Sequence, residues 1–516
     1  MKIAIYQMDS TAGAFEANAD KIIAAANEAR QNGAEVLITP AFSLSGGDLQ
    51  HLICNNDVIL QIENQIERIK QIDGITIIFG SVKGHCEMLL AVHNEEVEIL
   101  VKRELNNSAR ATTIWQYQDT KFALCLGVVP KKKLLGKKDF NALIYFDNRP
   151  YAASYYSRVY YKYDFIGFEV PVLSVRRSGG QDAFVYDGAS FAIDANGKTS
   201  FQTKFNQEII AYVNFTDNVF TGYRDFIPSF EAVGEAFILY KMAVQGLKNY
   251  ISKNGFQKIC LGLSGGLDSA LVLAMAVDAV GAENCEVLLM PSIYTAEISN
   301  TAAEKMAQNL GVRYESVPIW EIYQSFKTAL AHRFDGLPDD ITEENLQARI
   351  RGTLLMALSN KTGALLLSTG NKSEVAMGYA TLYGDMNGGF APIKDLYKTQ
   401  VFAISRWLNH YNNQEIIPWE IINRKPSAEL RPNQTDQDSL PEYAVLDEML
   451  SNILENNATP KDLIKQGFDE NEVRQTFRRL YAAEYKRRQG AIGTKLSNSA
   501  FGIDWTIPLT HKFKPE

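Results

Sequence analysis

Polar and apolar residues alternate at the start of the chain, Lys2-Ile3-Ala4-Ile5-Tyr6-Gln7, and this two-residue period predicts a strand over residues 3–8. Short apolar runs predict further strands over 35–39, 75–82, 122–129, 142–146 and 171–175, with one amphipathic helix over 16–31 that stops at Gly33. Between Thr221 and Gly234 the pattern breaks at Gly222, Pro228 and Gly234. A linker is expected there, between domains spanning 1–225 and 236–516. Beyond it the rhythm is regular. Strands are expected from Lys258 into the turn at Gly262, then over 286–290, 313–317 and 364–367. Between them lie helices over 270–280, closed by Gly281, over 296–310, stopped by Gly311, and over 343–361, before Gly363. The tail from Leu446 reads as helical. Alternation of this kind predicts an α/β fold with a doubly wound parallel sheet, whose ligands sit at the carboxyl ends of the strands.

At 516 residues the chain exceeds one ordinary core, in keeping with two domains. No apolar run is long enough to cross a bilayer, and the polar residues after the first strand do not suit a signal peptide. The expectation is a cytoplasmic protein without a membrane partner. A net charge of −8 with no long basic stripe argues against nucleic acid; Lys131-Lys132-Lys133 reads as a solvated loop. The five cysteines are scattered and lack metal-type pairing; Cys125, Cys260 and Cys285 lie in apolar surroundings and read as reduced, buried thiols. The six histidines show no H-x-x-x-H spacing, which leaves no transition-metal site in view.

The candidate chemistry lies at the strand–helix junction Gly262-Leu263-Ser264-Gly265-Gly266-Leu267-Asp268-Ser269. A strand, a glycine turn and a helix N-terminus together hold an anion. Gly265 and Gly266 allow close approach of phosphate oxygens, and Ser264 and Ser269 add hydroxyl donors. The lysine of the usual phosphate loop is missing and Asp268 stands near its place. A carboxylate beside phosphates requires a cation between them, so the expected ligand is the pyrophosphate end of ATP with Mg2+.

Later segments narrow the family. Glu344-Asn345-Leu346-Gln347-Ala348-Arg349-Ile350-Arg351, Ser368-Thr369-Gly370-Asn371-Lys372-Ser373-Glu374, Gly378-Tyr379-Ala380-Thr381-Leu382-Tyr383-Gly384-Asp385, Pro392-Ile393-Lys394-Asp395-Leu396-Tyr397-Lys398-Thr399 and Pro426-Ser427-Ala428-Glu429-Leu430 follow in order. With the glycine loop, residues 236–516 resemble an NAD synthetase, an ATP-pyrophosphatase with a Rossmann-like sheet. The resemblance implies adenylation of deamido-NAD by ATP, loss of pyrophosphate and displacement of AMP by ammonia. It assigns the loop 262–269 and Thr369 to ATP, Asp268 and Glu374 to Mg2+, and Asn345, Arg349, Glu374 and Lys486 to deamido-NAD. Asp268, Lys394 and Lys398 are the expected catalytic groups, the two lysines one turn apart if their segment is helical. For Arg351 a surface salt bridge is the plain alternative, and for Tyr383 and Phe390 a place in the core. The resemblance also implies a homo-oligomer.

Residues 1–220 resemble the nitrilase-like amidase domain that releases ammonia from glutamine in two-domain NAD synthetases, an α/β sandwich. The likeness rests on the opening strand and on Ser178-Gly179-Gly180-Gln181-Asp182-Ala183-Phe184-Val185-Tyr186-Asp187-Gly188-Ala189-Ser190-Phe191. Such an amidase needs a cysteine nucleophile, a glutamate base and a lysine for the oxyanion. Lys102 and Cys125 match two of these, but Pro40-Ala41-Phe42 replaces the Pro-Glu-Leu segment of the base. Two substrate loops also differ, reading Leu105-Asn106-Asn107-Ser108 and Asn148-Arg149-Pro150-Tyr151. A thiol without a base is a poor nucleophile. The leading expectation is therefore a synthetase using free ammonia, with a degenerate amidase site at Ala41, Lys102 and Cys125. A glutamine-dependent enzyme with a displaced base, with Asp48 and Glu104 as candidates, is the alternative. A nucleotide-binding regulatory protein is the reading from another class; a metal-ready carboxylate pair argues against it.

Overall fold

The computed structural model describes residues 1–105, 111–127, 139–153, 165, 167–225 and 230–514. It divides into two compact units, Met1–Ala232 and Val233–Glu516. Lys131-Lys132-Lys133 and Asn106-Asn107-Ser108 lie outside the described residues.

The first unit is a sandwich of two mixed sheets. In the seven-stranded sheet the order is Val219–Gly222, Ile209–Thr216, Lys2–Gln7, Val36–Ile38, Thr76–Lys83, Cys86–His93 and Glu96–Glu104. In the six-stranded sheet it is Thr199–Gln202, Phe191–Ile193, Val172–Arg176, Ala142–Asp147, Thr120–Leu126 and Ala111–Tyr117. Apolar residues from both sheets, such as Ile5, Ile77, Leu124 and Ile144, share one core. The two-residue period sorts each strand by face. Thus Phe122, Leu124 and Leu126 join the shared core, whereas Ala123 and Cys125 join a separate cluster with Leu143, Tyr145 and Phe191. The strands Cys86–His93, Glu96–Glu104 and Ala111–Tyr117 were not expected. The last two carry many polar, exposed residues, so their apolar signal is weak.

The second unit is built on four parallel strands in the order Arg313–Ser316, Cys285–Leu289, Ile259–Gly262, Leu365–Leu366. The helix Leu267–Val280 is apolar on nearly every side and correspondingly buried, from Ala270 through Ala276 without a gap. Helix Ile341–Thr362 starts at the capping box of Asp340 and Glu343 and ends at Gly363, whose φ of 71° suits glycine. Helix Phe230–Lys253 spans the expected linker's end and kinks at Gly234, φ 78°. No helix among the described residues is long and apolar enough to cross a membrane.

Candidate functional site

The glycine loop follows the strand Ile259–Gly262, in the middle of the parallel sheet, and runs into helix Leu267–Val280. Gly265 has φ +79°, and a Cβ there would lie 2.2 Å from the Ser299 carbonyl oxygen, so no other residue fits without moving the backbone. Ser264 Oγ accepts from Gly266 N at 3.2 Å and lies 3.1 Å from Ser269 Oγ, which holds the loop in shape. No side chain caps the following helix, so its first N–H groups remain for a ligand.

Against this loop stands a charged cluster. Lys398, almost fully buried at the start of helix Lys398–Asn412, donates to Asp268 and, at 3.4 Å, to Glu374. Asn371 caps helix Lys372–Met377, accepting from Glu374 N at 3.0 Å, while its Nδ2 donates to Asp268 Oδ1 at 3.0 Å. Tyr443 donates to Asp436 at 2.8 Å. Burial first, then the charge of Asp268, push Glu374 up to about 8. Burial opposes the charge on Lys398, but Asp268 and Glu374 outweigh it and its pKa is raised. The cluster is short of positive charge: a cation is what would let both carboxylates ionise together. Among the described residues no group of three or more His, Cys, Asp or Glu is arranged to hold a metal by itself. Two carboxylates completed by phosphate oxygens are a donor set that suits Mg2+.

Asp268, Glu374, Lys398 and Asp436 line a cavity of about 340 Å³ together with Thr369, Lys394, Asp385 and Lys486. Lys394 donates to the Ala491 carbonyl at 2.6 Å from a turn ahead of helix Lys398–Asn412, so the two lysines reach the wall from different elements and not from one helical face. Lys486 donates to the carbonyls of Gly378 and Ala380 at 2.8 and 2.7 Å. Asn345 Oδ1 accepts from Thr381 Oγ1 at 2.8 Å, and Asp385 accepts from Thr381 N at 2.6 Å. Asn345 thus supports the turn 378–385 from behind; Thr381 and Asp385 are on the wall itself.

Two expectations change. Arg351, not Arg349, is on the wall: Arg349 donates away to Leu382 O at 3.2 Å, whereas Arg351 donates to Met290 O at 3.0 Å, and burial pushes it down to about 10. Residues two apart on a helix diverge, and the pairing with the sheet decides which faces in. Tyr383 is 65% exposed, its hydroxyl on Gln489, and not in the core; Phe390 is buried, its ring 4.5 Å from that of Tyr250. Asn371, Asp436 and Arg424 were not singled out in the sequence. Arg424 meets Ser299 Oγ and Glu429 Oε1, anchoring the 424–429 loop at the pocket. The only sequence signal for these was their place in or beside the recurring segments.

In the first unit the three amidase positions lie on separate elements and differ in exposure. Ala41 is buried after strand Val36–Ile38. Lys102 is exposed, and its neighbour Arg103 turns inward to Glu87, which is 1% exposed. Cys125 is buried in the cluster on the far face of its strand, with Tyr145 and Leu143. The turn that follows brings Gly127, φ +91°, within reach of Arg103: a Cβ there would lie 3.1 Å from its Nη1. Arg149 binds Asp147 through two nitrogens, at 2.9 and 3.0 Å, so this cation is held in an ion pair.

The NAD synthase family model matches residues 239–490, which takes in the glycine loop, the cluster and Lys486. The glutamine-dependent NAD(+) synthetase of Acinetobacter baylyi is 36% identical over 100% of this chain and 99% of its own length. The chain belongs to the NAD synthetase family. The enzyme of the same name from Thermotoga maritima is 35% identical, again over 100% of this chain and 99% of its own. Among solved structures, the glutamine-dependent NAD+ synthetase from Acinetobacter baumannii in complex with ADP superposes with a TM-score of 0.75 at 31% identity, covering 98% of each chain. That from Cytophaga hutchinsonii shares the fold, with a TM-score of 0.80 at 18% identity. The chain has the two-domain form of this family: an α/β sandwich followed by the synthetase's parallel sheet. The relatives are named for glutamine, which favours the glutamine-dependent alternative over the free ammonia expected first.

Proposed function

We propose that the second unit transfers AMP from ATP to the nicotinate carboxylate of deamido-NAD, and that ammonia then displaces AMP to give NAD. The observation that carries this reading is the meeting of an uncapped helix N-terminus with Asp268, Glu374 and Lys398 at the end of a parallel sheet. The loop 262–269 grips the phosphates, with Thr369 beside it on the wall. Asp268 and Glu374 would hold Mg2+, which neutralises charge on the leaving pyrophosphate. Lys398 and Lys394 supply fixed positive charge where the phosphorus gains electron density. Arg351 and Lys486, with Asn345 behind the turn, position the dinucleotide. A preference for nicotinate mononucleotide over deamido-NAD would overturn the substrate assignment.

For the nitrogen donor, the names of the full-length relatives carry glutamine over to this chain. A second reading, free ammonia, is favoured by one observation: the position of the expected base is held by Ala41, which cannot take a proton from Cys125. Purified protein with ATP, Mg2+, deamido-NAD and either ammonium chloride or glutamine tests both. NAD from either donor upholds the synthetase, and none from either overturns it. A glutamine-driven rate upholds the first donor reading; an ammonium-only rate upholds the second.

A further inference from the structure

Lys372 is fully buried, 0% exposed, yet it is not on the wall of the synthetase cavity. It stands at the start of helix Lys372–Met377, between Asn371, which donates to Asp268, and Glu374, which is on the wall. A buried ammonium is costly unless it is paired and hydrogen-bonded. This one is both. Its Nζ lies 3.0 Å from Asp395 Oδ1 and 3.3 Å from Glu455 Oε1, donates to Ser497 Oγ at 2.7 Å, and sits 4.7 Å from the centre of the Tyr397 ring.

These partners come from three other parts of the unit. Asp395 and Tyr397 belong to the segment that carries Lys394 and Lys398, Glu455 to helix Tyr443–Asn456, and Ser497 to the C-terminal segment. Asp395 also accepts from the N–H groups of Leu496 and Ser497, both at 2.7 Å, and from Ser497 Oγ at 2.9 Å. The Ser497 hydroxyl thus accepts from Lys372 and donates to Asp395, which closes the network.

What the network spans is the gap between two segments that carry chemistry. Residues 371–374 bring Asn371 and Glu374; residues 394–398 bring Lys394 and Lys398. Two ties to the main chain already join them: Lys372 N donates to Leu396 O at 2.8 Å, and Lys398 N to Ser373 Oγ at 2.9 Å. The Lys372–Asp395 pair adds a charged tie between side chains, the stronger kind of hydrogen bond. Lys398 Nζ stands 3.4 Å from Glu374, at the far limit of a hydrogen bond, so small shifts of its segment matter.

We propose that Lys372 is a positioning residue for adenylyl transfer: its ammonium, through Asp395, fixes the segment 394–398 against helix Lys372–Met377 and so holds Lys394 and Lys398 at the reacting phosphorus. The inference rests on the synthetase reading above. Lys372 acts through Asp395 and does not touch substrate.

The test compares Lys372→Met with the double variant Lys372→Met/Asp395→Asn in the full-length protein, by NAD formation with ammonium chloride or glutamine and by thermal unfolding. Alone, Lys372→Met leaves Asp395 and Glu455 without this cation, so it should lose stability in any case. Asp395→Asn removes one of the two charges and keeps an oxygen for the N–H groups of Leu496 and Ser497. The double variant is expected to regain most of the lost Tm while its kcat stays about fivefold or more below the parent, because the segment is no longer held. KM for ATP and for deamido-NAD should stay within about twofold of the parent, since Lys372 is off the cavity wall. A lysine that serves only the fold behaves otherwise: kcat then follows Tm. A kcat that rises and falls with Tm across the variants overturns the inference. So does a rise in both KM values as large as the fall in kcat, or a double variant that fails to fold. No NAD from either donor in the parent protein overturns the synthetase reading itself, and this inference with it.

Discussion

Gly265 and Gly266 stand side by side in the phosphate loop, yet the fold treats them differently. Gly265 has φ +79° and no room for a Cβ, whereas Gly266 has a φ of −89° and its Cβ would meet only Ser264 Oγ at 3.2 Å. Gly265→Ala is therefore expected to raise KM for ATP by about tenfold or more, from strain of 1–3 kcal/mol in the left-handed region, with a smaller effect from Gly266→Ala. Steady-state kinetics on the two variants separate them. Asp268 accepts from Lys398 and Asn371 and is the carboxylate of the loop itself. Asp268→Asn should lower kcat by about 10²-fold or more, if it holds the cation that meets the developing charge. The thiols offer a check on the fold. Burial pushes Cys260 and Cys285 up to about 12, while Cys54 is exposed. Alkylation followed by mass spectrometry is expected to label Cys54 first and Cys260 and Cys285 only on unfolding, because the thiolate is the reacting form.

At the scale of elements, the short helix Lys372–Met377 couples stability to chemistry through one residue. Asn371 caps it and also orients Asp268, and Glu374 returns the cap to the Asn371 backbone at 3.4 Å. Asn371→Ser keeps a capping oxygen but loses the amide donor to Asp268. It should leave the urea midpoint near that of the parent while lowering kcat. Asn371→Ala loses both, at about 1 kcal/mol for the cap alone. Equal kcat in the two variants and the parent would show that the amide does nothing for Asp268. The four strands of the second unit and the helices closed by Gly281, Gly311 and Gly363 were legible in the sequence because each carries its own signal, an apolar run or a glycine stop, whereas helices such as Trp320–Leu330 and Lys398–Asn412 were not predicted. The strands Glu96–Glu104 and Ala111–Tyr117 were not, because an edge strand buries few residues and so needs few apolar ones.

At the scale of the whole molecule, the donor assay is joined by one substitution. Cys125→Ala is expected to leave the ammonium-driven rate unchanged, since the thiol is packed in an apolar cluster of the first unit. Loss of a glutamine-driven rate in that variant would establish Cys125 as the nucleophile despite Ala41. The expected homo-oligomer is read by sedimentation equilibrium, where a monomer at micromolar concentration would rule it out. The sequence by itself determined the family, the glycine loop with Asp268, and the absence of a carboxylate at Ala41, because these are contiguous motifs whose chemistry depends on residue type and spacing. Only the tertiary structure decided that Arg351 and not Arg349 meets the pocket, that Lys394 and Lys398 arrive from separate elements, and that Cys125 faces away from the shared core. The physical reason is the same in each case. Which way a side chain points follows from the strand face or helix phase that packing selects, and a one-residue change of face reverses the outcome.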